Sequence, residues 1–435
     1  MKTRTIITTL IILAFPPLTA MAAETLESAW MVATSGSNRL RAGVNQIEAA
    51  KGIHQTAKAA RLPVIANQTA YIALSEQPKF SIDIPQLPLP LPIPASIDLP
   101  LADQNFMLSS TTVTVPIYTG GKISAAIDAG KYQVASVQST YTAMQKQLKL
   151  EVANAFFSVL RARKLYEVAI GNERSLAAHE DVVGKMLTQN IVTRNVFLAA
   201  QVAHATATQE VMRLRNVALT AEANYNRLLN RPLDTPLYLV EQEVPPLSGN
   251  YETLTAEALQ NRRELNAIAQ QSQAIGSQVK VANADCLPQI VAVGSFNYMQ
   301  NSHLSNETNW AGGLGMKWTL FDGGSSRSRK YTANHQAAAA SRTYDELRSM
   351  IELEVYAAAL NEQETRSRIT VAKQAVIQAD ENRRVVGKQF FEGLVNHTEV
   401  LDAQTQQTGA RTAYWNAIYD AIMATYNVKY ATGMM

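Results

Sequence analysis

Residues 182–185 read Val-Val-Gly-Lys, and residues 385–388 read Val-Val-Gly-Lys again, a displacement of 385 − 182 = 203. One tetrapeptide carries little weight, but other positions share the same displacement. Gly120-Gly121 returns as Gly323-Gly324, Leu150-Glu151-Val152 as Leu353-Glu354-Val355, Ala200-Gln201 as Ala403-Gln404, and Asn224 as Asn427. Upstream the displacement becomes 287 − 62 = 225, matching Leu62-Pro63 with Leu287-Pro288 and Ile65 with Ile290. An insertion in the first copy, Pro78 to Pro100, accounts for the change. The chain therefore reads as two tandem copies, 24–230 and 251–435, joined by an inter-repeat segment at 231–250. Units of that length lie far outside the periods of about 20–50 residues that mark solenoids, so this is a duplicated domain.

The first 22 residues carry two cations, Lys2 and Arg4, an apolar run from Ile6 to Phe15, and Ala20-Met21-Ala22 as a small-residue cleavage site. That pattern is a secretory signal peptide, 1–22. Its removal takes the formal net charge from +3 to 3 − 2 = +1, which gives no electrostatic footprint for nucleic acid. Cys286 is the single cysteine, so no internal disulfide is available. Beyond the signal no apolar run reaches the roughly 20 residues a membrane helix needs, and any membrane passage must use strands.

Proline placement sets the coarse architecture. Mature prolines lie at Pro63, between Pro78 and Pro116, between Pro232 and Pro246, and at Pro288, leaving the intervals free of the strongest helix breaker. From Lys122 to about Met186 the composition favours helix, and Leu148, Val152, Ala155, Phe156 and Val159 keep helical spacing. Those residues predict a rod of about 97 Å at ~1.5 Å per residue. Ser325 to Gln389 predicts a second rod, with return helices at Leu198 to Asn230 and Leu401 to Thr432. Single helices are expected over Glu24 to Arg61 and Tyr251 to Asp285. Rods this long must pack antiparallel against neighbours, in coiled-coil fashion. Paired glycines, Gly120-Gly121 and Gly323-Gly324, allow a sharp strand-to-helix turn, with Thr119 and Asp322 at N-cap positions.

The segment around Trp310 to Leu320 puts Trp310, Gly312, Leu314, Met316, Trp318 and Leu320 on one face. Trp310 and Trp318 would stand about 26 Å apart along an extended strand, close to the aromatic girdles of an outer-membrane band. In the first copy Val113, Val115 and Ile117 alternate with Thr112, Thr114 and Pro116. A soluble sandwich with the tryptophans inside is the alternative. Two hairpins give four strands, and an open four-stranded sheet cannot sit in lipid with its edges unpaired. Copies of the chain must pool strands, to eight as a dimer or twelve as a trimer.

The junction sequences Leu-Pro-Val-Ile and Leu-Pro-Gln-Ile, Pro-Ile-Tyr-Thr-Gly-Gly and Thr-Leu-Phe-Asp-Gly-Gly, and the turn from Phe390 to Gln404 resemble those of the TolC family of outer-membrane efflux and type I secretion channels. The resemblance spans nearly the whole mature chain. It implies a mainly α fold with a small β part: long antiparallel helical hairpins plus four transmembrane strands per chain, with a shared 12-stranded barrel in a homotrimer. It also implies an outer-membrane location with a large periplasmic portion, contact with outer-membrane lipid, and partnership with a periplasmic adaptor (membrane fusion) protein and an inner-membrane RND or ABC pump. No enzyme activity, cofactor, metal or nucleic acid is implied.

Carried over residue by residue, the hairpin tips that meet the adaptor fall on Gln189, Asn190, Ile191 and Val192 and on Glu392, Gly393, Leu394 and Val395. The same residues also suit ordinary helical-hairpin turns. The resemblance puts the acidic ring of the pore constriction at Glu399 and Asp402, three residues apart on one helical face. Gate contacts fall on Val196 and Phe390: Val196 and Val395 stand where the family has an aspartate-to-arginine link, and Phe390 stands in place of a tyrosine. The Pro78–Pro100 insertion reads as a rigid polyproline surface loop at the extracellular end. His54, His179, His204, His303, His335 and His397 show no metal-ligand spacing, and neither a Walker A nor a Gly-x-Ser-x-Gly pattern occurs. Small-molecule efflux, type I protein secretion and a periplasmic coiled-coil scaffold remain as distinct readings.

Overall fold

The computed structural model describes residues 23–85, 94–243, 245, 249–303 and 305–435. The expected signal peptide and most of the Leu-Pro run of the insertion lie outside the described residues. The elements run α1 (Leu26–Gly36), α2 (Asn38–Ala59), β1 (Val64–Ala73), β2 (Lys79–Asp83), β3 (Ser96–Pro100), β4 (Asn105–Tyr118), α3 (Lys122–Thr188) and α4 (Arg194–Leu228). They continue with α5 (Tyr251–Asn261), α6 (Arg263–Ala284), β5 (Gln289–Met299), β6 (Thr308–Lys317), α7 (Ser325–Phe391) and α8 (His397–Ala431).

The duplication is written into the helix lengths. α3 and α7 are 67 residues each, α4 and α8 35, α2 and α6 22, and α1 and α5 11. The two expected N-terminal helices are each broken in two. Ser37 (φ −64°, ψ 119°) and Arg262 (φ −70°, ψ 115°) take extended backbone at equivalent positions, 262 − 37 = 225. Arg262 gains from its break: its guanidinium is buried and held by Glu264 at 3.2 Å and Glu354 at 2.9 Å. Periodicity of apolar residues survives such a break, so it left no trace in the pattern.

The chain divides into two compact units. One comprises residues up to Asn38, Gln145–Leu254 and Val355–Met435, and the other Arg39–Met144 and Thr255–Glu354. The first unit has an aromatic core. Phe156, Phe157 and Tyr225 are fully buried, Phe157 stacks on Tyr426 at 5.4 Å, and Phe156 meets Tyr225 edge-on at 6.0 Å. Glu24 takes Arg231 in a two-pronged pair at 2.8 and 3.1 Å, and Asn226 donates to the carbonyls of Leu233 and Thr235, fixing the start of the inter-repeat segment.

The second unit carries the sheet, in the order β1-β4-β5-β6 with every neighbour antiparallel. Register places Ile65, Val113, Val115, Leu314 and Met316 on the same face as Trp310 and Phe296. The opposite face carries a polar row in which Ser110 donates to Asn297 at 2.7 Å and Asn297 donates to Asn309 at 3.0 Å. The expected apolar and polar sorting fails at one place. Asn67, Thr69, Ser109 and Thr111 stand on the apolar face near the level of Trp310, and they satisfy one another by hydrogen bonds of 2.8–3.1 Å. β6 ends at Lys317, so Trp318 and Leu320 lie beyond the strand rather than on its face. The Trp318 indole instead donates to the carbonyl of Cys286 at 3.3 Å.

The insertion is also corrected. Its flanks form a two-stranded antiparallel sheet, β2 with β3, in place of the expected loop. Phe80 faces Leu99 and Ile82 faces Ile97, so one side is apolar and the other polar. Among the described residues no helix is long and apolar enough to cross a membrane.

Candidate functional site: the hairpin tips and the sheet edges

The helical turns at the ends of α3 and α7 are built identically. Asn190 (φ 59°) and Gly393 (φ 75°) take the left-handed conformation that stops each helix. Ile191 donates to the Met186 carbonyl and Leu394 to Gln389, both at 2.9 Å, while Asn190 donates to Leu187 at 3.0 Å and Gly393 to Phe390 at 3.1 Å. Those paired bonds are a Schellman closure, so the turn-forming role of these residues is real. The closure also pushes side chains outward: Ile191 and Leu394 are 61% and 69% exposed. Gln189, Asn190, Glu392 and Gly393 are exposed beside them, whereas Val192 and Val395 are partly buried.

Behind the tips lies a small apolar core. Val183, Ala200, Phe390 and Val400 are buried together, with Val192, Val196, Phe197 and Val395 packed against them. Val196 and Phe390 are therefore held within this chain's own tip. In α8 the Asn396 side chain accepts from the Glu399 amide at 3.1 Å, capping the helix. Val400, Ala403 and Gln404 face inward, which leaves Glu399 and Asp402 exposed on the opposite side.

Sequence spacing gave no sign of a polar seam that joins α3 to α7 and α8. His179 Nε2 lies 3.0 Å from His397 Nδ1, with the rings nearly parallel at 8° and 5.0 Å between centroids. Gln404, buried, accepts from Ser175 at 2.8 Å and from Arg383 at 2.7 Å, and its amide donates to Asn172 at 2.9 Å. Burial, then the neighbouring His397 and Arg383, push the His179 imidazole down to about 4. Burial also lowers His397. The two histidines are 218 residues apart, and neither has a histidine at its equivalent in the other repeat.

At the sheet, β1 and β6 each pair on one side only among the described residues. Gly120, Gly121, Gly323 and Gly324 all take positive φ, between 62° and 87°, at the strand-to-helix turns. In the second copy the Asp322 carboxylate accepts from the Ser326 hydroxyl at 2.5 Å and from the Ser326 amide at 2.8 Å, and those bonds, the hydroxyl's first, hold its carboxyl below the usual range. Thr119 contributes its carbonyl, accepting from Lys122 at 3.1 Å. Asp285, at the end of α6, is held low by Lys122 at 2.7 Å and by Arg329 at 3.1 Å.

Residues 254–434 match the outer membrane efflux protein family. Outer membrane protein TolC of Vibrio cholerae serotype O1 is 26% identical over 333 residues, covering 71% of this chain and 73% of that one. Residues 254–434 carry the outer membrane efflux domain, and the longer likeness is to TolC. Among solved structures, the outer-membrane channel OprN superposes with a TM-score of 0.79 at 18% identity over 94% of this chain and 89% of its own. The outer membrane protein VceC from Vibrio cholerae superposes at 0.77 with 17% identity over 94% and 96%.

With that domain and the likeness to TolC, the chain is an outer-membrane efflux channel subunit with a large periplasmic helical portion. The two expected tips form matching turns, and the expected acidic pair is exposed on one side of α8. The two expected girdle tryptophans are both exposed, at 82% and 54%, but only Trp310 belongs to a strand.

Proposed function

We propose that this outer-membrane efflux channel subunit works as a homotrimer in a tripartite system, passing small molecules from a periplasmic adaptor and an inner-membrane pump of the RND or ABC class to the exterior. Three chains pool four strands each into a barrel of twelve, and their helices form the periplasmic tunnel. The mature chain consists of two repeats, 24–230 and 251–435, joined by 231–250, after a signal peptide at 1–22.

The observation that carries this reading is the sheet itself. One of its faces displays Ile65, Leu314, Met316 and Trp310 to the outside, each more than 60% exposed, while β1 and β6 have free edges. In lipid a free edge leaves several backbone groups unsatisfied, at a cost of several kcal/mol each. Joining the β6 edge of one copy to the β1 edge of the next removes both edges. Trp310 and Trp318 then stand near the two membrane interfaces, and the paired glycines turn each strand into its long helix.

At the hairpin tips the exposed Ile191 and Leu394, with Gln189, Asn190, Val192, Glu392, Gly393 and Val395 around them, offer the adaptor an apolar centre with a polar rim, the composition expected of an interface. Glu399 and Asp402 from three copies form an acidic constriction that favours cations. Val196 and Phe390 stiffen the tip behind that constriction.

The test is reconstitution of the purified full-length protein into planar bilayers. Discrete conductance steps and a requirement for detergent in extraction are the expected results. Release from membranes by salt or urea, without conductance, would contradict the channel.

A further inference from the structure

The buried seam between α3 and α8 is built from groups that respond to protons. His179 and His397 are each 8% exposed, their ring nitrogens are 3.0 Å apart, and the Phe390 ring packs on His179 at 5.4 Å. Two neutral imidazoles share one N–H···N bond, and one added proton leaves that bond intact. A second proton turns it into two N–H groups pointing at each other in a water-poor site.

Nothing nearby neutralises that charge. From α7 the group facing the pair is the Arg383 guanidinium, itself a cation, and the Gln404 amide that binds Arg383 is neutral. On α3 the adjacent Glu180 and Asp181 are engaged by His204 and Lys185, on α8 Glu399 and Asp402 are exposed, and no carboxylate contributes to the state of either ring. The Nε2 atom of His397 is buried without a hydrogen-bond partner among the described residues, so a proton there has no acceptor.

We propose that His179 and His397 form a proton-operated clasp that holds the α3/α4 hairpin to the α7/α8 hairpin at neutral pH and parts them in acid. The seam lies behind the tips and the Glu399–Asp402 face, so its release frees the channel end. That consequence rests on the channel reading, whereas the clasp does not.

A second histidine makes the release selective. His204 on α4 stands between two carboxylates of α3, with Nδ1 2.6 Å from Glu180 and Nε2 3.2 Å from Glu173. Those hydrogen bonds raise its proton affinity, so acid tightens the α3/α4 hairpin while it loosens the seam to α8. The hairpins separate as intact bodies instead of unravelling.

The test uses the full-length protein in detergent, with Cys286→Ser to remove the native thiol and spin labels placed through Lys185→Cys on α3 and Thr405→Cys on α8. Labelled chain is diluted with unlabelled chain, and the distance distribution is measured by pulsed electron paramagnetic resonance from pH 8 to pH 4. The clasp predicts one narrow distance at pH 8, and a longer, broader population that grows below pH 6.5 and dominates near pH 4. His179→Gln keeps a donor and an acceptor but cannot titrate, and it is expected to hold the pH 8 distance throughout. A distance unchanged to pH 4, or a change that survives His179→Gln, overturns the clasp. If the variant misfolds, isotope-labelled histidine NMR on the unsubstituted pair decides, because titration of both rings without any change in distance overturns it equally. Separation without any change in bilayer conductance would leave the clasp standing and count against the channel reading.

Discussion

Gly120 and Leu287 occupy space that a single methyl group would close: a β-carbon on Gly120 would lie 2.7 Å from Leu287 Cβ. Gly120 also stands at φ 62°, in the left-handed region. Its repeat equivalent, Gly323, has a similar φ of 67° but nothing within 4 Å of that position. The pair separates backbone strain from crowding. Gly323→Ala is expected to cost about 1–2 kcal/mol from strain alone, and Gly120→Ala a further ~1–3 kcal/mol from overpacking. Thermal unfolding of the two variants side by side checks the difference, and equal losses would contradict the contact.

Phe390 and Phe391 are adjacent, yet one is 7% exposed and the other 67%. Phe390→Ala empties the tip core around Val183 and Val400, at an expected cost of about 3–5 kcal/mol. Because the core is local, the loss should appear as amide exchange at least ~100-fold faster around 183–200 and 386–400. Phe391→Ala should leave exchange there nearly unchanged.

Much of this architecture is legible in the residues. The displacement of 203 seen in Val-Val-Gly-Lys is also the displacement between the starts of α3 and α7, because both copies keep one spacing of turn glycines and helical stripe. Alternation at Val113, Val115, Leu314 and Met316 gave the sheet face, since a strand sorts its side chains with period two. The breaks at Ser37 and Arg262 were not legible, because a one-residue excursion leaves helical periodicity intact. Nor was the β2–β3 pairing, where five-residue strands are hidden among prolines that suggest an extended loop. The His179–His397 seam escaped for another reason. It joins residues near the tips of two different hairpins, 218 residues apart, and no local spacing encodes that meeting.

The His204 clamp gives a pH dependence of opposite sign to the seam. Its affinity for a proton is raised in the fold by Glu180 and then Glu173, so its contribution is fully present below the ordinary histidine range of about 6.5 and fades as pH rises through the folded value. Amide protection along residues 173–180 and 200–208 should therefore be greater at pH 6 than at pH 8.5. His204→Gln should flatten that dependence, and a slope unchanged in the variant would contradict the clamp.

Glu399 and Asp402 share the exposed side of α8. In the proposed trimer, replacing both with Ala removes six carboxylates from the constriction. The expected outcome is a fall in the cation-to-anion permeability ratio, read as a shift of reversal potential under a salt gradient. Selectivity equal to that of the unsubstituted protein would place the constriction elsewhere.

The central claim is that the free edges of β1 and β6 are closed by other copies of the same chain. Native mass spectrometry of the detergent-extracted protein tests it most directly. The account predicts one species at three times the mass of the mature subunit, which dissociates only as the strands unfold. A monomer that stays soluble in water after the detergent is removed would contradict it.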